Sequence, residues 1–213
     1  MLCLIAGCSG SGKSSLSTKV KEFLNRNRSS DGHGHQNVVL FHQDHYFTKP
    51  FLPYNQRFND SYENGDGIDW NRLKFDIQSF VATNASATII VEGHMLGNAI
   101  SIFQDLFKIF NILVVLTSCS METCRKRRLE RRHRTNQEKD DLNIYFDKYV
   151  WPSYEKYGMS AEQTLRDFVS SSSDVKEIND ANLIEIDTDR LNLDESLDKI
   201  CSKLNNLETY IKK

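Results

Sequence analysis

Gly7-Cys8-Ser9-Gly10-Ser11-Gly12-Lys13-Ser14 follows directly on the apolar run Leu2-Cys3-Leu4-Ile5-Ala6. Glycine, four residues, then glycine-lysine-serine, set between a strand and a helical pattern, reads as a phosphate-binding P-loop. The physics asks for these residue types. Glycines let successive backbone N–H groups converge on phosphate oxygens, and the helix that follows adds its positive N-terminal end. Gly7 and the stretch from Ser9 through Gly10, Ser11 and Gly12 to Ser15 are thus expected to cradle the phosphates of ATP. Lys13 reaches the β- and γ-phosphates in this reading, and the Ser14 hydroxyl binds Mg²⁺.

Outward from that loop the chain alternates short β-rich runs with helical periodicity, the pattern of a parallel sheet covered by helices. Leu16, Val20, Phe23 and Leu24 recur at helical spacing before a polar stretch from Asn25 to Gln36. Further strands are expected at Val38–Phe41, Thr88–Val91, Ile112–Leu116 and Leu183–Ile186. Helices are expected from Trp70 to Val81, weakly from Ile100 to Phe107, from Ser120 through the basic run to Arg134, and from Leu142 to Tyr157 with a kink near Pro152. Thr135 to Asp141 reads as a mobile polar link, and Met159 to Asp180 gives little signal, with a turn at Ser170 to Ser173. The last helix is marked by Leu193, Leu197, Ile200, Leu204, Leu207 and Ile211, with Asn192 and Glu195 placed as a capping box. The expected fold is α/β, of the P-loop NTPase kind: one domain over residues 1–213, with a five-stranded parallel sheet, flanking helices and a helical lid near residues 125–149.

Composition limits the function. The 213 residues carry a net charge of −2, with 26% charged and 39% hydrophobic, so the chain reads as an ordinary soluble globular protein rather than a polybasic binder or an acidic tail. Its five cysteines are odd in number and none is spaced Cys-x-x-Cys, which points to reduced thiols and a cytoplasmic setting, the nucleus remaining open. The apolar start is a buried strand rather than a signal peptide, and no transmembrane run follows. His33, His35, His42 and His45 lack a cysteine or further carboxylate at ligand spacing, which argues against a zinc site.

Parallel sheets place ligands at the carboxyl ends of their strands, so residues just after each strand matter most. Asp44 follows the second strand and Glu92 ends the third. Asp44 is the candidate base for an attacking hydroxyl, with a further part in the metal shell, and Glu92 is a metal-shell residue. The run Arg125 to Arg134 admits a solvated helix face, a nucleic-acid surface, or a lid whose arginines stabilise charge on a transferred phosphoryl group. It contains no stacking aromatic other than His133, and with the upstream motifs the lid is the best of the three. A GTP-binding switch would need a guanine-reading Asn-Lys-x-Asp, and the chain has no Asn-Lys pair.

The P-loop, Gln43-Asp44-x-x-Phe47-x-Lys49-Pro50, Val91-Glu92-Gly93, Cys124-x-x-Arg127-Arg128 and Tyr145-Phe146-Asp147-x-x-Val150-Trp151-Pro152 together resemble the nicotinamide riboside kinases, within the uridine kinase-like P-loop kinases. The resemblance spans residue 2 to about residue 157. It implies ATP- and Mg²⁺-dependent phosphorylation of the ribose 5′-hydroxyl of nicotinamide riboside, a small-molecule reaction in NAD salvage, by a monomer or homodimer without nucleic-acid or membrane partners. By position, it gives catalytic parts to Lys13, Asp44 and Arg128, with Asp44 also meeting the 5′-hydroxyl and Arg128 the ribose of the substrate, a contact near the nucleotide to Arg131, and ring stacking to Trp70. Three departures stand out. Asn71 occupies the place of a ribose-gripping aspartate, leaving Asp69 as the nearby acid; His133 stands where a second stacking tyrosine is expected; and the stretches Thr135 to Ile144 and Met159 to Asp180 look longer than in the family. Uridine or cytidine, then pantothenate or another small alcohol, are the alternative acceptors.

Overall fold

The structure is a computed structural model that describes residues 1–30, 37–172 and 181–211. Five parallel strands, β1 (Leu2–Gly7), β2 (Val38–His42), β3 (Thr88–Gly93), β4 (Ile112–Ser118) and β5 (Ala181–Asp187), form one sheet in the order β2-β3-β1-β4-β5. β1 is central, in register with β3 (Ile5 beside Glu92) and with β4 (Gly7 beside Thr117). Continuous apolar runs suit such a sheet because both faces are covered.

The alternation of side chains along β1 divides the core. Leu2, Leu4 and Ala6 face one apolar layer with Leu73 and Ile77 of α2 (Trp70–Thr83), Leu106 and Phe107 of the short α3 (Gln104–Phe107), and Leu165 and Phe168 further along. Cys3 and Ile5 face the opposite layer, with Leu16, Val20 and Leu24 of α1 (Lys13–Ser30). Helix α1 runs through the polar residues from Asn25 to Ser30, further than the apolar spacing reaches. Residues 31–36, with His33 and His35, lie outside the described residues.

Between β4 and β5 the sequence expectations need most correction. Helix α4 (Met121–Glu130), N-capped by Ser120, stops short of Arg134. The stretch expected to be mobile is instead α5 (Asn136–Tyr145), fixed by a reciprocal capping box between Thr135 and Glu138. That signature was present as Thr-x-x-Glu and satisfies two otherwise orphaned N–H groups. The chain then stays helical through α6 (Trp151–Ser153) and α7 (Met159–Ser172), with π-turns at Phe146–Val150 and Tyr154–Gly158 on either side of Pro152. Proline lacks the N–H for the regular ladder, and the wider turns re-register the helix around it without ending it. The expected turn at Ser170 to Ser173 is therefore helical as far as Ser172, and residues 173–180 lie outside the described residues. Helix α8 (Leu193–Ile211) closes the second layer through Ile200 and Leu204, its start capped as expected: Glu195 N donates to Asn192 Oδ1 (3.0 Å) and Asn192 N to Glu195 Oε2 (2.8 Å). The side chains of Leu207 and Ile211 lie outside the description. Among the described residues no helix is long and apolar enough to cross a membrane.

Candidate active site

All five strands deliver a residue to the same edge of the sheet. β1 runs into the glycine-rich loop, whose Gly7, Gly10 and Gly12 have φ of +144°, +100° and +89°. These values lie where a Cβ is disfavoured. The loop is also held from behind. A Cβ on Gly7 would stand 2.0 Å from the Thr117 carbonyl oxygen, so β1 and β4 can approach this closely only with glycine there. Thr117 Oγ1 donates to Ala6 O (3.1 Å) and shares a 2.6 Å hydrogen bond with Ser11 Oγ. Cys124 Sγ donates to Ser9 O, and Arg128 Nη1 to Ser9 Oγ, so α4 grips the loop's outer side.

Lys13 opens α1 but its Nζ turns back to donate to Cys8 O at 2.9 Å, inside the loop's own curl. Lys13 is 8% exposed and makes no ion pair with a carboxylate among the described residues. Ser14 Oγ donates to Glu92 Oε1 (3.1 Å), and the same oxygen lies 2.7 Å from His42 Nδ1. A hydroxyl and a carboxylate oxygen side by side at a helix start form a hard-oxygen donor pair of the kind Mg²⁺ takes. Asp44, exposed in the turn after β2, lines the same cavity. This cavity of about 940 Å³ is walled by the glycine loop, Asp44, Glu92, His94, Arg127, Arg128 and Arg131, and the β5–α8 turn. Gly7 itself sits behind the loop, while Ser9 to Ser15 line the wall.

A second chamber of about 130 Å³ adjoins it, sharing Ser9, Asp44, His94, Arg128 and Arg131. Its other residues come chiefly from the long segment after β2: Phe47, Phe51, Tyr54, Arg57, Tyr62 and Glu63, with Arg134 from the α4–α5 link. Glu63 is buried, with Oε1 3.7 Å from Arg128 Nη2, and burial raises its pKa against the pull of Arg128 and Arg57. Desolvation pushes the His94 pKa down to about 4, so its ring is neutral; Nδ1 meets Gln43 Nε2 at 3.0 Å and Nε2 has no partner. Gln43 is fully buried and its Oε1 accepts from Met95 N (2.9 Å), which pins the segment after β3 beside Asp44.

Of the six residues expected around an acceptor, Asp44 and Arg128 line this chamber and the other four are placed elsewhere. Trp70 is a core residue whose indole N–H donates to Gly65 O at 3.1 Å, so no ring face is offered to either cavity. Asp69 caps α2, accepting from Arg72 N at 2.9 Å, and Asn71 points to solvent on the first turn of that helix. His133 is exposed in the α4–α5 link and lines neither cavity. In their place stand Arg57, Glu63, His94 and Arg134. His94 follows Glu92-Gly93 at a strand end and was findable by position; the others lie in segments without periodicity.

The fold also gathers thiols that are far apart in sequence. Cys8, Cys119 and Cys124 bring their sulfurs within 4.8 Å of one another, with Cys8 and Cys119 at 3.6 Å. The hydrogen bond with the Cys119 thiol holds the Cys8 thiol well below its ordinary pKa.

No protein-family profile matches the chain and no curated protein does. Solved structures do resemble it. The YGR205w protein aligns over 89% of this chain and 86% of its own, at 15% identity and a TM-score of 0.52. APE1195 aligns over 97% of this chain and 95% of its own, at 13% identity and a TM-score of 0.51. At such identities the likeness establishes the architecture, an α/β fold with a five-stranded all-parallel sheet flanked by helices, and no activity.

Proposed function

We propose that this chain is an ATP- and Mg²⁺-dependent kinase for the hydroxyl group of a small molecule, and that its glycine loop is a P-loop. The observation that carries the reading is convergence: Lys13, Ser14, Asp44, Glu92 and Arg128, from four separate regions of the sequence, line one cavity at the carboxyl ends of the strands. ATP supplies the phosphoryl group and Mg²⁺ neutralises charge on it. Ser14 and Glu92 would hold the metal, and the positive-φ glycines leave the loop's N–H groups free of side-chain cover. Lys13 exchanges its hydrogen bond with Cys8 O for phosphate oxygens. Asp44, at the junction of the two cavities, accepts the proton of the acceptor hydroxyl as the oxygen attacks. Arg128 and Arg131, on the shared wall, balance charge that develops between the cavities, and the α4–α5 hairpin that carries them is the lid.

For the acceptor, the geometry favours the small-alcohol class over nicotinamide riboside. Trp70, Asp69 and Asn71 face away from the chamber, and the aromatic rings that do line it already hold a cation, the Arg57 guanidinium, 4.5 Å from the ring centres of Tyr54 and of Tyr62. The test is Mg²⁺-dependent phosphate transfer from ATP to nicotinamide riboside, uridine, cytidine and pantothenate in parallel. Transfer to at least one of them, lowered about 10²–10⁴-fold in kcat by Asp44→Asn, is expected. Undiminished transfer in that variant would remove Asp44 as the base, and ATP hydrolysis stimulated by RNA or DNA would replace the small-molecule reading with a nucleic-acid one.

A further inference from the structure

The second chamber is overcharged for a neutral or cationic acceptor. Four arginines, Arg57, Arg128, Arg131 and Arg134, face two carboxylates, Asp44 and Glu63, beside a neutral His94. Glu63 is committed to Arg128. Arg131 is exposed at the boundary with the larger cavity, where phosphates are expected.

That leaves Arg134 and Arg57 without a carboxylate in contact among the described residues: Glu63 acts on Arg57, and Glu138 on Arg134, only through space. Arg134 is 7% exposed, yet its Nε and Nη1 have no hydrogen-bond partner, its Nη2 reaches only Tyr54 Oη at 3.5 Å, and it makes no ion pair among the described residues. A buried guanidinium with idle donors is costly unless something fills them. Arg57 donates its Nε to Leu52 O (2.7 Å) and is otherwise held by ring faces, Tyr54 and Tyr62 at 4.5 Å, Tyr145 at 5.4 Å and Phe51 at 5.5 Å. Rings fix the plane of the guanidinium without neutralising it, which leaves its charge available to a ligand. Two such forks in one small chamber match the planar, bidentate geometry of a carboxylate or the oxygens of a phosphate.

We propose that this chamber is an anion subsite: the acceptor is a small hydroxyl-bearing molecule with a carboxylate or phosphate group, which Arg134 and Arg57 bind so that its hydroxyl faces Asp44. The placement of the hydroxyl rests on the kinase reading given above; the anion preference does not. Phe47 and Phe51, packed edge to face at 5.0 Å, give the carbon skeleton an apolar wall. Arg134 therefore serves as a specificity residue rather than a catalytic one.

The experiment pairs acids with neutral analogues of the same skeleton. Binding of pantothenate against pantothenol, glycerate against glycerol, and glycerol 3-phosphate, with nicotinamide riboside as the cation, is measured by calorimetry on the full chain without ATP. At least one acid is expected to bind about tenfold or more tightly than its neutral partner, and the phosphate ester against the two acids separates a phosphate site from a carboxylate site. In Arg134→Gln that preference falls to near unity while Arg134→Lys keeps part of it; Arg57→Gln gives a second reading should the Arg134 variant unfold, and melting curves report folding of each. Equal binding of acid and neutral partner, stronger binding of nicotinamide riboside, no binding of any probe, or an acid preference that survives both glutamine variants would overturn the proposal. Phosphate transfer, assayed separately on the same compounds, distinguishes the two readings: anion selectivity without any transfer leaves the subsite standing and removes the kinase.

Discussion

At the scale of single residues, the glycine loop divides its burden unequally. Gly7 meets two constraints at once, a positive φ and a carbonyl oxygen of β4 that would lie 2.0 Å from any Cβ, whereas Gly12 has the same sign of φ with nothing within 4 Å. Gly7→Ala should therefore cost about 3 kcal/mol or more, overpacking added to backbone strain, and Gly12→Ala only about 1–2 kcal/mol. Urea denaturation of both variants checks this; equal losses would mean that β1 and β4 can separate at no cost. The loop was legible because its residue types are dictated by geometry that recurs wherever backbone N–H groups must converge. Asp44 and Glu92 were legible for a related reason, since each stands at a strand's carboxyl end. Trp70 was not. A tryptophan at a helix start can aim its ring at a ligand or at the core, and the choice was made by Gly65, whose carbonyl takes the indole N–H. Nor could spacing show that Arg134, one cation in a basic run, turns inward while Arg131, Arg132 and His133 face solvent.

Among the elements, the helical run from α5 to α7 shows how a buried acid can set a pH response. Burial raises the Glu162 pKa from 4.5 to about 7, against the hydrogen bond from Tyr154 Oη (3.0 Å) and the Arg166 guanidinium 3.8 Å away. The folded state thus binds a proton that the unfolded state releases. This contribution is fully present below pH 4.5 and is lost as the pH rises through 7. Glu162→Gln keeps a neutral group at the site, so its melting temperature should fall less than that of the parent between about pH 5 and pH 8, with a gain of up to about 3 kcal/mol at the upper end. Parallel curves would show that the carboxyl is ionised in the fold throughout. The same region explains the poorest part of the sequence reading. Helix α5 carried its start signal in Thr135 and Glu138, but few apolar residues at helical spacing, because it buries only Leu142 and Tyr145. Pro152 suggested a kink, and two π-turns absorbed it.

Across the whole molecule, the sheet order places β1 between strands that lead away on either side, and the site sits at that divergence. The layers were legible because strands covered on both faces need unbroken apolar runs, while the long segment after β2 follows no periodicity and takes its shape from the cavity it encloses. A ligand that bridges the glycine loop, β3 and the β5–α8 turn ties together parts of the chain that unfolding would separate. ATP with Mg²⁺ at about a hundredfold over its Kd should accordingly add about 2.7 kcal/mol, a rise of roughly 5–10 °C in Tm for a chain of this size. The rise should shrink in Ser14→Ala and Glu92→Gln; a melting curve indifferent to ATP and Mg²⁺ would remove the nucleotide from the large cavity.

Ser9, Asp44, His94, Arg128 and Arg131 line both cavities, so the two adjoin across a single set of side chains. Two ligands seated there would be neighbours, each giving up its own freedom to tumble. A single compound that joins the two on a short tether surrenders that freedom once, and the second half then arrives at millimolar effective concentration. The common wall thus makes the protein a natural target for bivalent inhibitors, whose selectivity would come from the arginines of the small chamber rather than from the glycine loop proposed to bind the phosphates.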